Sequence, residues 1–273
     1  MKPSTWRRLA TAIWRRPNDP TIHGAMDLDA TNAQSYLEAV RAATGVKVTI
    51  THLVARAAAR AVANYPQTNV RIRWGRVRAR ETIDVCIQVV LEGGQDLSSA
   101  LIQEADTKSL DTIGTELRKK AEAIRSRKDP QFKKTFSVAR NTPQFLLRPL
   151  LAVADRVTQD FGWHLPSLGM PRDPFGSVMV TSVGMLGIDL GLPPIFPLGR
   201  APILLCVGRI TDRPWVVDGE VTVRPVLTIS CAIDHRLLDG YQCGQLANFL
   251  RDYLEDPAAY DPLPEVDPTS AEP

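Results

Sequence analysis

Apolar Ala33, Leu37, Val40 and Ala43 recur at helical spacing through Thr31–Thr44, with Asp29 or Thr31 as a cap and Gly45 as a stop, and predict an amphipathic helix. A second, alanine-rich helix follows over about 51–64; its small side chains suit close packing on a sheet, and it ends before Tyr65-Pro66. The period then changes to two. Val70, Ile72 and Trp74 alternate with Asn69, Arg71 and Arg73, Gly75 turns the chain, and residues 83–90 read as a buried strand. Gly93-Gly94 breaks that strand, a short one follows over 97–102, and Leu110, Ile113, Leu117, Ala121 and Ile124 restore helical spacing through 109–127.

Residues 128–175 mix prolines with an apolar run at 143–161, expected to form an amphipathic helix packed on its own subunit or on a neighbour. A helix lying on a membrane surface is the competing reading. Strand signals return at 178–182 and 203–210. A hairpin of 215–217 and 221–223 turns at Asp218-Gly219, and a further strand covers 226–233. A helix over about 241–254 closes the folded part, carrying Leu246, Phe249, Leu250 and Tyr253, and residues 258–273 are expected to be a flexible polar tail. The whole reads as an α/β chain with a mixed sheet.

Composition narrows the function. With 33 basic and 30 acidic residues the charge is too even to argue for a nucleic-acid partner, and no apolar run reaches the length of a membrane span. No run suits a signal peptide either, so a cytoplasmic protein is expected. Cys86, Cys206, Cys231 and Cys243 have no CxxC spacing and read as reduced, mostly buried thiols, with no metal implied.

The chemistry concentrates in Asp234-His235-Arg236-Leu237-Leu238-Asp239-Gly240, which stands between a buried strand and a helix. An imidazole titrates near pH 6.5 and can take a proton from a hydroxyl or thiol near neutrality. A thiol of pKa about 8.5 is mostly protonated at pH 7, so such a base raises its nucleophilicity directly. Alone, a histidine beside two aspartates is as well a structural hydrogen-bonding cluster.

The string as a whole, HxxxDG in its DHR form, resembles the signature of the dihydrolipoyl acyltransferase catalytic domains of 2-oxo acid dehydrogenase complexes, within the chloramphenicol acetyltransferase-like superfamily. Asp106-Thr107-Lys108-Ser109-Leu110, Tyr65-Pro66-Gln67-Thr68-Asn69, the stretch from Val180 to Gly187 and the closing 250–257 resemble further family segments, so the likeness runs over about residues 3–257 apart from 128–175. It implies an acyltransferase domain over 1–257 with an insertion at 128–175: a mixed sheet flanked by helices, with its active site at a trimer interface. Carried onto this chain, His235 is the general base, and Asp239 supports the site through an ion pair with Arg7 or Arg8. Thr181 takes the place of the family's oxyanion-binding serine. Ser182 is the weaker candidate because it points to the other face of the strand. Gly191 to Gly199, with Pro193, Pro194 and Pro197, falls where relatives line that interface.

The resemblance further implies acyl-coenzyme A as substrate and a dihydrolipoyl group as acceptor. Lipoyl and subunit-binding domains are not read in this chain, so a lipoyl carrier or dehydrogenase complex subunits are expected in trans. The polar tail points to a homotrimer rather than a cage. Two other readings stay open: a coenzyme A-dependent O- or N-acyltransferase for a small acceptor, and a non-catalytic trimeric scaffold or assembly subunit.

Overall fold

The structure, a computed structural model, describes residues 20–90, 97–126, 134, 138, 142–165, 173–196 and 200–263. Strand β1 (Thr21–Asp29) leads into helices α1 (Thr31–Thr44) and α2 (Ile50–Asn64); β2 (Val70–Arg73), β3 (Arg76–Ala79), β4 (Val85–Val90) and β5 (Leu97–Ile102) follow. Helices α3 (Leu110–Arg125) and α4 (Gln144–Gln159) precede β6 (Val178–Ser182), β7 (Ile203–Val217) and β8 (Glu220–Asp234), and α5 (Gly240–Glu255) and α6 (Pro257–Tyr260) end the described chain.

Six strands form one mixed sheet in the order β1-β8-β7-β6-β4-β5, and β2 and β3 form a separate hairpin. The β4–β6 and β6–β7 pairs are parallel and the others antiparallel. One face of the sheet, with Val178, Val180, Leu227, Ile229 and Ile233, joins the main core under helices α1, α2, α3 and α5. Ala55, Ala57, Ala58, Ala59 and Ala61 of α2 are buried, and their small side chains let that helix approach the sheet closely. Met179, Leu204 and Ala232 belong to the opposite face, which carries a smaller cluster.

Several strands depart from the sequence expectation. Strand β1 pairs with β8 over nine residues, from Thr21 opposite Asp234 to Asp29 opposite Val226. Gly24 and Ala25 dilute its alternation, so pairing rather than pattern makes it a strand. Strands β7 and β8 are continuous through polar stretches that suggested breaks, with a bulge between Val207 and Ile210. Pro214 and Pro225 fall in the outer half of this hairpin, beyond the last residues of β7 and β8 that pair with β6 and β1. Its turn falls at Asp218-Gly219, both at positive φ, as the dipeptide predicts.

Helix α4 matches the predicted amphipathic run. It rests on its own subunit: Ala154, Thr158 and Gln159 are buried, and Arg200 joins Asp155 and Asp160 at 3.2 and 2.5 Å. The segment expected to begin a flexible tail at residue 258 instead packs on the fold through Tyr260 and Asp261. Helix α6 follows Asp256, Tyr260 stacks near Phe249 and Tyr253, and Asp261 accepts from Arg56 at 2.7 and 2.9 Å. Residues 264–273 lie outside the described residues.

Candidate active site

Strand β8 delivers the motif to the end of the sheet, and a tight turn holds it there. The backbone N–H groups of Leu237 and Leu238 donate to the carbonyl of Asp234 at 2.9 and 3.1 Å. The buried Asp234 carboxylate accepts from the Arg236 backbone at 3.0 Å and grips its guanidinium at 2.6 to 3.2 Å. This bidentate pair was not singled out in the sequence, although the Asp-x-Arg spacing across a strand end is compatible with it.

His235 is held by its backbone, whose N–H donates to the carbonyl of Pro20 at 2.9 Å. Its side chain is exposed, and among the described residues its ring makes no hydrogen bond. His52 is the contrast: it is buried, bonds Thr49 at the start of α2, and burial, then the nearby Arg41, pushes its pKa down to about 4, which keeps it a neutral structural imidazole.

Asp239 sits at the N-cap of α5. Its carboxylate accepts from the N–H of Tyr241 at 2.9 Å, and Gln242 returns a side-chain acceptor to the Asp239 N–H at 3.0 Å, a reciprocal capping box. The sequence expectation of an ion pair with Arg7 or Arg8 concerns partners that lie outside the described residues.

Thr181 and Ser182 end β6, both half-buried. Thr181 shares the face of Met179, away from the main core, and Ser182 the face of Val178 and Val180. Register shows how far Thr181 lies from His235. Thr181 is level with Cys206, which is level with Ser230, and His235 lies five residues further along β8. That is about 17 Å along the strands and about 10 Å across them, so one chain does not bring the two side chains together.

The loop after β6 is fixed by backbone contacts that only glycine permits. A Cβ on Gly184 would fall 2.4 Å from the carbonyl oxygen of Gly208, and one on Gly208 would fall 1.9 Å from that of Asp189. Val183 donates to Val207 at 2.9 Å and Arg209 to Ile188 at 3.0 Å. So anchored, the loop presents Met185, Leu186, Ile188, Leu190 and Leu192 to solvent. The Ser230 hydroxyl binds the carbonyl of Gly191, and His23 meets that of Pro193 at 3.0 Å, tying the strap onto the sheet. Residues 197–199 lie outside the described residues.

The other distinctive strings prove to be corners of the scaffold. Asn69 donates to the carbonyl of Thr82 at 3.0 Å and accepts from Ser177 at 2.6 Å, while Arg56 donates to the carbonyl of Asp106 at 2.7 Å just before α3. All four cysteines are free thiols, Cys86 and Cys206 buried and Cys231 and Cys243 partly so. No helix among the described residues is long and apolar enough to cross a membrane.

Comparison with known proteins gives the geometry its relatives. The acetyltransferase component of the pyruvate dehydrogenase complex of Zymomonas mobilis is 24% identical over 255 residues, which cover 92% of this chain and 47% of that protein. The chain thus spans about half the length of this relative. A solved dihydrolipoamide acetyltransferase of Azotobacter vinelandii superposes with a TM-score of 0.66 at 22% identity, covering 89% of this chain and 84% of that one. Chloramphenicol acetyltransferase superposes with a TM-score of 0.51 at 17% identity over 86% and 89% of the two chains, so the fold is of that kind. The family described as 2-oxoacid dehydrogenases acyltransferase (catalytic domain) matches residues 7–139 and 175–260, and the chain therefore belongs to it.

Proposed function

We propose that this chain is the catalytic domain of a dihydrolipoamide acyltransferase in which His235 is the general base for acyl transfer between coenzyme A and a dihydrolipoyl thiol. The observation that carries the reading is the exposed imidazole, without a hydrogen bond among the described residues, presented by a tight turn at the end of β8 in a chain of this family. The Azotobacter vinelandii relative was investigated for the catalytic roles of a serine, a histidine and an asparagine. Thr181, His235 and Asp239 are the matching candidates here.

In the reaction, a ring nitrogen of His235 takes the thiol proton and the sulfur attacks the thioester carbonyl carbon. The new C–S bond leaves negative charge on the carbonyl oxygen, which the Thr181 hydroxyl stabilises by donating to it. The bond from that carbon to the coenzyme A sulfur then breaks, and the imidazolium returns the proton to the leaving thiolate. Atoms and electrons balance without an oxidant or a metal. Ser182 faces the helices and stays a supporting residue. Asp239 orients the turn from the helix cap, with Arg7 or Arg8 as its ion-pair partner.

Because Thr181 and His235 stand at opposite ends of one sheet, the site is completed by a neighbouring copy, Thr181 of one subunit facing His235 of the next. A homotrimer meets this need, and the rigid apolar loop at 185–192 supplies a surface for it. Residues 128–175, of which 140–174 fall outside the family match, are read as an insertion carrying α4. The acceptor is a dihydrolipoyl group, and the proposed setting is a 2-oxo acid dehydrogenase complex in the cytoplasm.

The test is transfer from acetyl-coenzyme A to dihydrolipoamide, followed as thioester formation. His235→Ala is expected to abolish it, and Thr181→Ala to lower the rate about a hundredfold with assembly unchanged. Equal rates for wild type and His235→Ala would overturn the proposal. Absent turnover from a well-folded trimer would turn attention to a small acceptor or a scaffold.

A further inference from the structure

Between the main face of the sheet and helices α2 and α5 lies a cavity of about 260 Å³. Its floor is buried and apolar, made by Ala58 and Ala61 of α2 with Val178, Ile203 and Leu205 of the sheet. Its mouth opens at the sheet edge, where exposed Gly24 and Ala25 of β1 face exposed Gly244 of α5. A Cβ built on Gly244 meets nothing within 4 Å, so the absent side chain leaves the mouth open.

Protein interiors seldom keep voids larger than a water molecule, and apolar walls give water few partners. An apolar ligand is the occupant that chemistry favours. The cavity lies close to the 234–240 motif along the chain: Ile233 lines it two residues before His235, and Cys243 lines it one turn into the helix that Asp239 caps. We infer that this cavity seats the acyl tail of the thioester and selects a straight apolar acyl group of medium length. The inference rests on the proposed acyl transfer at His235 and adds the substrate class.

Size sets the length. A cavity of about 150 Å³ takes benzene, so in proportion this one takes about ten carbons and is filled by a chain of about eight to ten. Wall chemistry sets the type. The terminal carboxylate of a succinyl group would be stranded without a partner among these walls, so dicarboxylic acyl groups are rejected.

The experiment is titration calorimetry of acetyl-, butanoyl-, octanoyl- and dodecanoyl-coenzyme A, and of free octanoate, on wild type, Gly244→Leu and Gly244→Phe, with transfer to dihydrolipoamide measured in parallel. Wild-type affinity is expected to tighten by up to about fourfold per added methylene and to level off near ten carbons. In the variants the ratio of octanoyl to acetyl affinity should fall by roughly a hundredfold, and the ratio of transfer rates with it. The milder Gly244→Leu keeps the test usable if the bulkier variant folds poorly. Affinity indifferent to chain length in wild type, or octanoyl-to-acetyl ratios unchanged in a folded variant, would overturn the inference. Acetyl transfer that depends on His235 alongside such indifference would leave the acyltransferase standing and remove the cavity. Octanoate binding that Gly244→Leu weakens, in a protein that transfers nothing, would support the cavity and remove the acyltransferase.

Discussion

Asp239 illustrates how one side chain serves a site without touching substrate. Its carboxylate closes the first turn of α5, and that turn follows His235 directly. Asp239→Ala removes the cap and should cost about 1 kcal/mol, read as a lower melting temperature, whereas Asp239→Asn keeps a cap-competent oxygen and should retain most of it. If the arginine ion pair matters as well, Asp239→Asn will melt near wild type yet transfer more slowly. Asp239 was visible in the sequence through its motif, but its capping geometry was not, because Asp-x-x-Gln is a signal only once a helix start is known. His52 escaped notice for a similar reason: nothing in its local sequence distinguishes a buried cap from an exposed imidazole, and burial decides its protonation.

At the scale of elements, a buried ion pair fastens the last described residues to α2. Arg56 grips Asp261 through two nitrogens, and the Tyr253 hydroxyl donates to the same carboxylate. Burial pushes the Asp261 pKa up, but hydrogen bonds from Arg56 and Tyr253 outweigh it and leave it below the usual value. A depressed carboxylate contributes stability that is fully present above its unfolded pKa of about 3.9 and is lost as pH falls below that, through the folded value. Wild type should therefore melt well above Asp261→Asn at pH 7, and the gap should narrow as pH falls below about 4. Arg56→Ala leaves a partly buried carboxylate without its guanidinium and should cost about 1–2 kcal/mol in denaturant unfolding. A gap independent of pH would show that packing of α6, and not charge, holds the segment.

For the whole molecule, the separation of Thr181 from His235 is the decisive geometric fact. Co-expressed His235→Ala and Thr181→Ala chains, each poor alone, should assemble mixed trimers in which about one site in four joins an intact histidine to an intact threonine. Activity recovered to about a quarter would establish the shared site, and no recovery would place the whole site within one chain. Leu186→Asp with Ile188→Asp charges the exposed loop and should give a monomer by light scattering that keeps its helical signal but not its activity.

Much of this protein is a property of its sequence alone. Helices α1, α2, α3, α4 and α5 are written in local periodicity, strands β4, β5 and β6 in short apolar runs, the β7–β8 turn in Asp218-Gly219, and the candidate histidine in a seven-residue string. These features are local, so neighbours in the chain specify them. Strand β1, with its glycine and alanine, and β3, with all four residues exposed, exist only because a partner strand completes their hydrogen bonds. The unbroken length of β7 and β8 has the same origin. The distance between Thr181 and His235, and the cavity between the sheet and helices α2 and α5, were likewise decided by tertiary structure. Both depend on strand register and helix packing between residues far apart in the chain, which no local pattern records.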